Sequence, residues 1–104
     1  MLRSGDVILT EMQFIDSPTI KTRPALVLFE EYDNIVVAGI TSNTSMEGIP
    51  LTRAEGAMKE SVIKVNYVFT IAKIMVKKYL FSLSSAKKRK VYDQLVEKLR
   101  FLKE

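Results

Sequence analysis

A small β-barrel with one C-terminal helix is the fold this sequence predicts, and three observations carry that expectation. Aliphatic and β-branched residues gather in short runs between turn-forming residues from Gly5 to Leu83. The period then changes: beyond Ser84, Tyr92, Leu95, Leu99 and Leu102 fall at i, i+3, i+7 and i+10, a narrow helical stripe. The whole chain has 104 residues, enough for one core and one domain spanning 1–104. Many short strands with close turns argue for a barrel, and the helix would plug or cover it.

"GDVILTEM" (5–12) reads as the first strand, with Asp6 fixing the turn into it. Residues 13–22 hold Asp-Ser-Pro turn chemistry and are too polar to bury. "RPALVLFEEY" (23–32) is a strand whose Pro24 belongs at its beginning or on an edge, because proline lacks the ladder N–H. Asp33-Asn34 would turn the chain into "IVVAGITS" (35–42), giving an antiparallel hairpin. The continuous apolar character of both strands predicts burial on two faces.

Residues 43–48 are expected to form a loop, and "IPLT" (49–52) a short edge strand marked by Pro50. A turn containing Gly56 follows over 53–60. "SVIKVNYVFTI" (61–71) is a long strand, with Val62, Lys64, Asn66 and Val68 opposite Ile63, Val65, Tyr67 and Phe69. A last short strand lies near "YLFSL" (79–83). Ser84 or Ser85 can cap the helix. "KKRK" (87–90) then sits where the macrodipole disfavours cations, at a cost of a few tenths of a kcal/mol, roughly. Its plain reading is a solvated helix face.

Composition excludes several classes of chemistry. No apolar run approaches the ~20 residues of a membrane helix, and the N-terminus lacks the pattern of a signal peptide. Cysteine is absent, so there is no disulfide framework and no thiol nucleophile, and a reducing cytoplasm is the simplest setting. Histidine is absent too, which removes the usual zinc site and the usual neutral-pH base. No metal or other cofactor is expected. The net charge of +4 is asymmetric: residues 1–58 hold four Lys or Arg against eight Asp or Glu, and residues 59–104 hold twelve against four. A basic second half suits a polyanionic partner, although solubility alone accounts for it as simply.

Five stretches in order carry more than composition: "GDVIL", "F-I-D-x-x-x-x-K-x-RPALVL" (14–28), "VVAGITS" (36–42), "IPL" (49–51) and "SVIKV" (61–65). Together they resemble the PemK/MazF family of toxins from toxin–antitoxin pairs, over nearly the whole chain. The resemblance implies an SH3-like barrel with a C-terminal helix, a homodimer, and metal-independent cleavage of single-stranded RNA or mRNA at short motifs. It also implies a cognate antitoxin as partner. The catalytic Arg of the family's "RP" motif maps onto Arg23, and the Thr of "ITS" onto Thr41. The loop before "RP" reads DSPTIK, and Tyr67-Val68-Phe69 stand where the best-studied branch has a polar segment. The PemK-like branch, with "F-x-D" and a Lys before "RP", is closer.

The chemistry is consistent with that resemblance. Attack by the neighbouring 2′-OH, which leaves a 2′,3′-cyclic phosphate and a 5′-OH, gathers negative charge on the non-bridging phosphate oxygens. A planar, permanently charged guanidinium matches two such oxygens. In the expected hairpin, Arg23 and Thr41 lie toward the same open end, about two residues out of register. Lys21, Ser42 and Asn43 are the neighbouring candidates for RNA contact. Arginine deprotonates too reluctantly to serve as base, so Asp16 and Tyr67 are the candidate general bases.

Plainer readings stand beside each of these. An Arg before Pro is usually a rim residue, Thr and Ser at a strand end are usually turn formers, and Tyr67 suits a core. The ordered pattern outweighs them only for Arg23 and Thr41. Two other functions use the same barrel: poisoning of DNA gyrase through the C-terminal helix, and a binding module without activity.

Overall fold

The computed structural model describes residues 2–12 and 19–104. Six strands build it: β1 (Asp6–Met12), β2 (Lys21–Glu31), β3 (Asn34–Thr41), β4 (Ile49–Leu51), β5 (Ser61–Ala72) and β6 (Val76–Ser82). Helix α1 (Ser85–Leu99) follows. The strands form one antiparallel sheet in the order β4-β5-β3-β2-β1-β6, curled into a half-barrel. The mainly β fold with a C-terminal helix is the one the sequence predicts.

Adjacent residues along the central strands point into two different apolar clusters, as the pleat requires. Val7, Leu26, Ala38 and Ile40 join Ile63 and Val91 of α1 in one cluster. Ile8, Ala25, Val27 and Val37 join Tyr67 and Ile71 in the other. Two-faced burial is therefore real for β3, in which Ile35 and 37–41 are all buried. In β2 it is confined to Ala25, Leu26 and Val27.

Asp6 fixes the entry to β1: it accepts from the Arg3 N–H at 2.8 Å and from the Ser82 hydroxyl at 2.7 Å. The hairpin turn differs from expectation. Glu31 pairs with Asn34, so the turn is Tyr32-Asp33, with Tyr32 at φ 56°. Strand β2 begins two residues early, at Lys21, and carries a bulge between Val27 and Phe29. Strand β5 carries a larger irregularity, because Ala38 pairs with Val68 while the next residue, Gly39, pairs with Lys64. Strand β6 starts at Val76, before the expected "YLFSL".

The helix corrects the sequence reading most. Ser84 is its cap, its hydroxyl accepting from the Lys87 N–H at 3.2 Å. The inward row is Lys87, Val91 and Leu95, spaced i, i+4, i+8, with Val91 buried and Leu95 packed on the core. Tyr92, Leu99 and Leu102 of the expected stripe are exposed. Periodicity identified an apolar face, but neighbouring elements decide what covers it. Nor is "KKRK" wholly solvated: the Lys87 ammonium donates to the Pro50 carbonyl at 2.6 Å and lies 3.2 Å from the Glu55 carboxylate.

Strands β4 and β6 are the two edges of the sheet, and the segment 52–60 bridges them. Thr52 and Glu55 form a capping box around a short 3-10 turn, the Thr52 N–H donating to Glu55 at 2.8 Å. Gly56 (φ 122°) then passes so close to β6 that an added Cβ would lie 2.8 Å from the Phe81 ring, so glycine is required there twice over. Lys87 ties the same segment to α1 through Glu55.

Candidate active site

The start of β2 and the end of β3 meet at the open end of their hairpin. Ala25 pairs with Gly39. Carrying that register two residues further sets Arg23 level with Thr41. The expected offset disappears because a turn one residue earlier moves every partner by two and the bulge moves it by one more. On its other side Arg23 pairs with Thr10 of β1, whose hydroxyl is buried and donates to the Met75 carbonyl at 2.9 Å. Contrary to the sequence expectation, Pro24 is neither at the beginning of its strand nor on an edge. It lies three residues inside β2, between β1 and β3 and opposite Leu9, and its missing N–H is tolerated because pairing with β3 starts only at Ala25.

Beside this end of the hairpin lies a concave cavity of about 320 Å3. Residues 21–24, Ser42, Lys59, Ser61, Leu80 and Phe81 are among its lining residues. Three of the described lining residues are cationic (Lys21, Arg23, Lys59), and none of the described ones is acidic. Such a basic concavity favours an anion. Among the described residues no group of three or more acidic side chains is gathered that could hold a metal ion, and no helix is long and apolar enough to cross a membrane.

The sequence candidates are distributed unevenly around this site. Lys21, Arg23 and Ser42 line the cavity together. Thr41, the residue before Ser42, is buried and does not itself line the cavity; its Oγ1 accepts from the Asn43 N–H at 3.1 Å, which leaves its own hydroxyl proton uncommitted to that bond. Asn43 is turned to the loop, where its Oδ1 accepts from the Ser45 N–H at 3.2 Å and the Ser45 hydroxyl at 2.6 Å. It does not line the cavity. Tyr67 is buried in the second apolar cluster, with the Lys64 ammonium 5.3 Å from its ring centre. Asp16 lies outside the described residues. Lys59 was not singled out by the sequence, where it is one lysine in a polar turn. Only the folding of segment 52–60 across the seam brings it to Arg23.

With this geometry in view, the comparisons with known proteins give the family. The model for the PemK-like, MazF-like toxins of type II toxin–antitoxin systems matches residues 3–99, so the chain belongs to that family. Two solved structures share the fold. The Mycobacterium tuberculosis toxin MazF-mt6 is similar at 20% identity with a TM-score of 0.73, over 88% of this chain and 93% of that one. An endoribonuclease in complex with its cognate antitoxin, from a mycobacterial species, is similar at 15% identity with a TM-score of 0.71, over 92% and 90%. No curated protein matches the chain.

Proposed function

We propose that this toxin is a metal-independent endoribonuclease that cleaves single-stranded RNA at the cavity beside Arg23 and Thr41. The observation that carries the reading is the lining itself: Lys21, Arg23 and Lys59 share one concave site with hydroxyl groups and, among the described residues, without a carboxylate. The family membership and the endoribonuclease named among its structural neighbours support the same reaction class.

In the proposed reaction the substrate's 2′-oxygen attacks the adjacent phosphorus and passes its proton to a base, Asp16 or a water molecule. The P–O5′ bond breaks, the 5′-oxygen takes up a proton from water, and the products are a 2′,3′-cyclic phosphate and a 5′-OH. The Arg23 guanidinium holds two non-bridging oxygens as their charge rises, and Thr41 donates its hydroxyl proton to one of them. Lys21 and Ser42 hold the flanking backbone. With Tyr67 packed in the core, the protein's contribution is mainly electrostatic and positional, worth about 3–4 kcal/mol for one well-aimed donor.

The second surface suits proteins. A groove of about 550 Å3 between α1 and the sheet is lined by Phe29, Val36, Val68, Tyr92, Leu95 and Leu99, with Lys88 at its rim. Its apolar lining beside the basic helix fits the disordered acidic, apolar segment of an antitoxin, or a second copy of the chain in a homodimer.

The decisive experiment is primer extension on a long RNA incubated with the purified protein and EDTA, beside Arg23→Ala. Discrete cuts that vanish in a folded variant support the proposal. Cuts that persist in the variant, or none from the folded parent, reject it.

A further inference from the structure

We infer that Lys59 is a phosphate-binding residue of this site, holding single-stranded RNA in the cavity that Arg23 also lines. The inference rests on the ribonuclease reading for its substrate and on separate observations for its residue. Lys59 is exposed, lines the cavity, and has no ion pair among the described residues.

Its backbone is also held more firmly than a surface turn requires. The Ser61 hydroxyl donates to the Lys59 carbonyl at 2.8 Å. The Thr52–Glu55 capping box closes the start of the segment, and Glu55 is anchored by Lys87. Gly56 seats the turn against the Phe81 ring. A lysine on a fixed backbone loses less freedom on binding than one on a mobile loop, so its contact with a phosphate is retained more fully. Electrostatics points the same way, because among the described residues the charged side chains that line the cavity are Lys21, Arg23 and Lys59.

The apolar side of the cavity explains why the ligand is a nucleic acid rather than a bare anion. Met58, 75% exposed and next to Lys59, and the Phe81 ring offer contact area for a base while the cations hold the phosphates on either side. Arg23 and Lys59 come from segments remote in sequence, one on β2 and one just before β5. Both line the one cavity, so a strand of RNA bound to both would occupy it.

The test compares the parent protein with Lys59→Gln, Lys59→Arg and, as a control remote from the cavity, Lys103→Gln. Cleavage of a long mixed-sequence RNA is followed for KM and kcat, and equilibrium binding of a labelled single-stranded RNA is followed separately across a salt series. Lys59→Gln should raise KM several-fold with kcat within about twofold, and flatten the slope of log K against log salt by about 0.7, the share of one phosphate contact on a single strand. Lys59→Arg should restore both, and Lys103→Gln should change neither. An unchanged slope in Lys59→Gln, or an equal effect of Lys103→Gln, overturns the inference whether or not the parent cleaves RNA. A flattened slope without any cleavage by the parent supports Lys59 and rejects the ribonuclease reading instead.

Discussion

Strand β2 contributes to two surfaces of opposite character. Its first residues, 21–24, line a cavity whose described charged residues are all basic. Leu26 to Phe29 of the same strand line an apolar groove under α1. The bulge between Val27 and Phe29 falls inside the groove-forming part, changing the pairing phase between the strand's outer end and the turn. On the proposed function, this difference separates nucleic-acid chemistry from protein docking within one small chain. The open end of a hairpin leaves polar groups unshielded, while its middle must be apolar to hold the sheet together.

If that division is real, substitutions on one surface should spare the other. The largest effect expected is on Arg23→Ala, with cleavage falling about 10²–10³-fold for loss of one transition-state donor. Binding of an antitoxin-like peptide, followed by calorimetry, should stay within about twofold, and equal losses on both surfaces would collapse the distinction.

Thr41 sharpens it further. Thr41→Val removes a hydroxyl expected to donate to a charged oxygen and should slow cleavage about tenfold or more, whereas Thr41→Ser keeps both that donor and the acceptor used by Asn43. If the two variants slow cleavage equally, Thr41 acts through packing alone.

On the groove, Leu99→Asp should weaken self-association or peptide binding about tenfold by sedimentation or calorimetry, as loss of a central apolar contact does. Its exposure in the chain predicts little change in unfolding temperature.

The smallest effect concerns the seam between the surfaces. The Glu55 carboxyl lies below its ordinary value of 4.5, first because the Thr52 N–H donates to its charged form, and further through the Thr52 hydroxyl and Lys87, against a partial loss of hydration. A lowered folded value means that this stabilisation is complete above the ordinary value and disappears as pH falls through the folded one. Thermal unfolding of the parent should therefore lose a small increment below about pH 4.5 that Glu55→Gln lacks at every pH. An identical acid profile for the two proteins would remove Glu55 from the seam.

Much of this architecture was legible in the sequence because local chemistry determines it. Pro50, Gly56 and the Ser84 cap each act within a few residues of themselves. Arg23, Thr41, Lys21 and Ser42 were legible as site candidates because one hairpin carries them all. Lys59 was not, since it reaches the cavity only through the closure of the sheet. The role of Lys87 was hidden for a similar reason: nothing local distinguishes it from Lys88 or Lys90, and only Glu55 and the Pro50 carbonyl do. In β5, the shift in pairing between Gly39 and Ala38 breaks the alternation a reader would carry through Lys64 to Val68.

The bond from Lys87 to the Pro50 carbonyl has a consequence for solubility. An edge strand with free backbone groups is a template on which another chain can add, and native proteins blunt such edges. At the centre of β4, proline supplies no N–H, and the carbonyl beside it is already occupied by an ammonium from the helix. The middle of this three-residue edge therefore offers an incoming strand neither a donor nor a vacant acceptor, and edge-to-edge growth of sheets is suppressed there by one imino acid and one lysine.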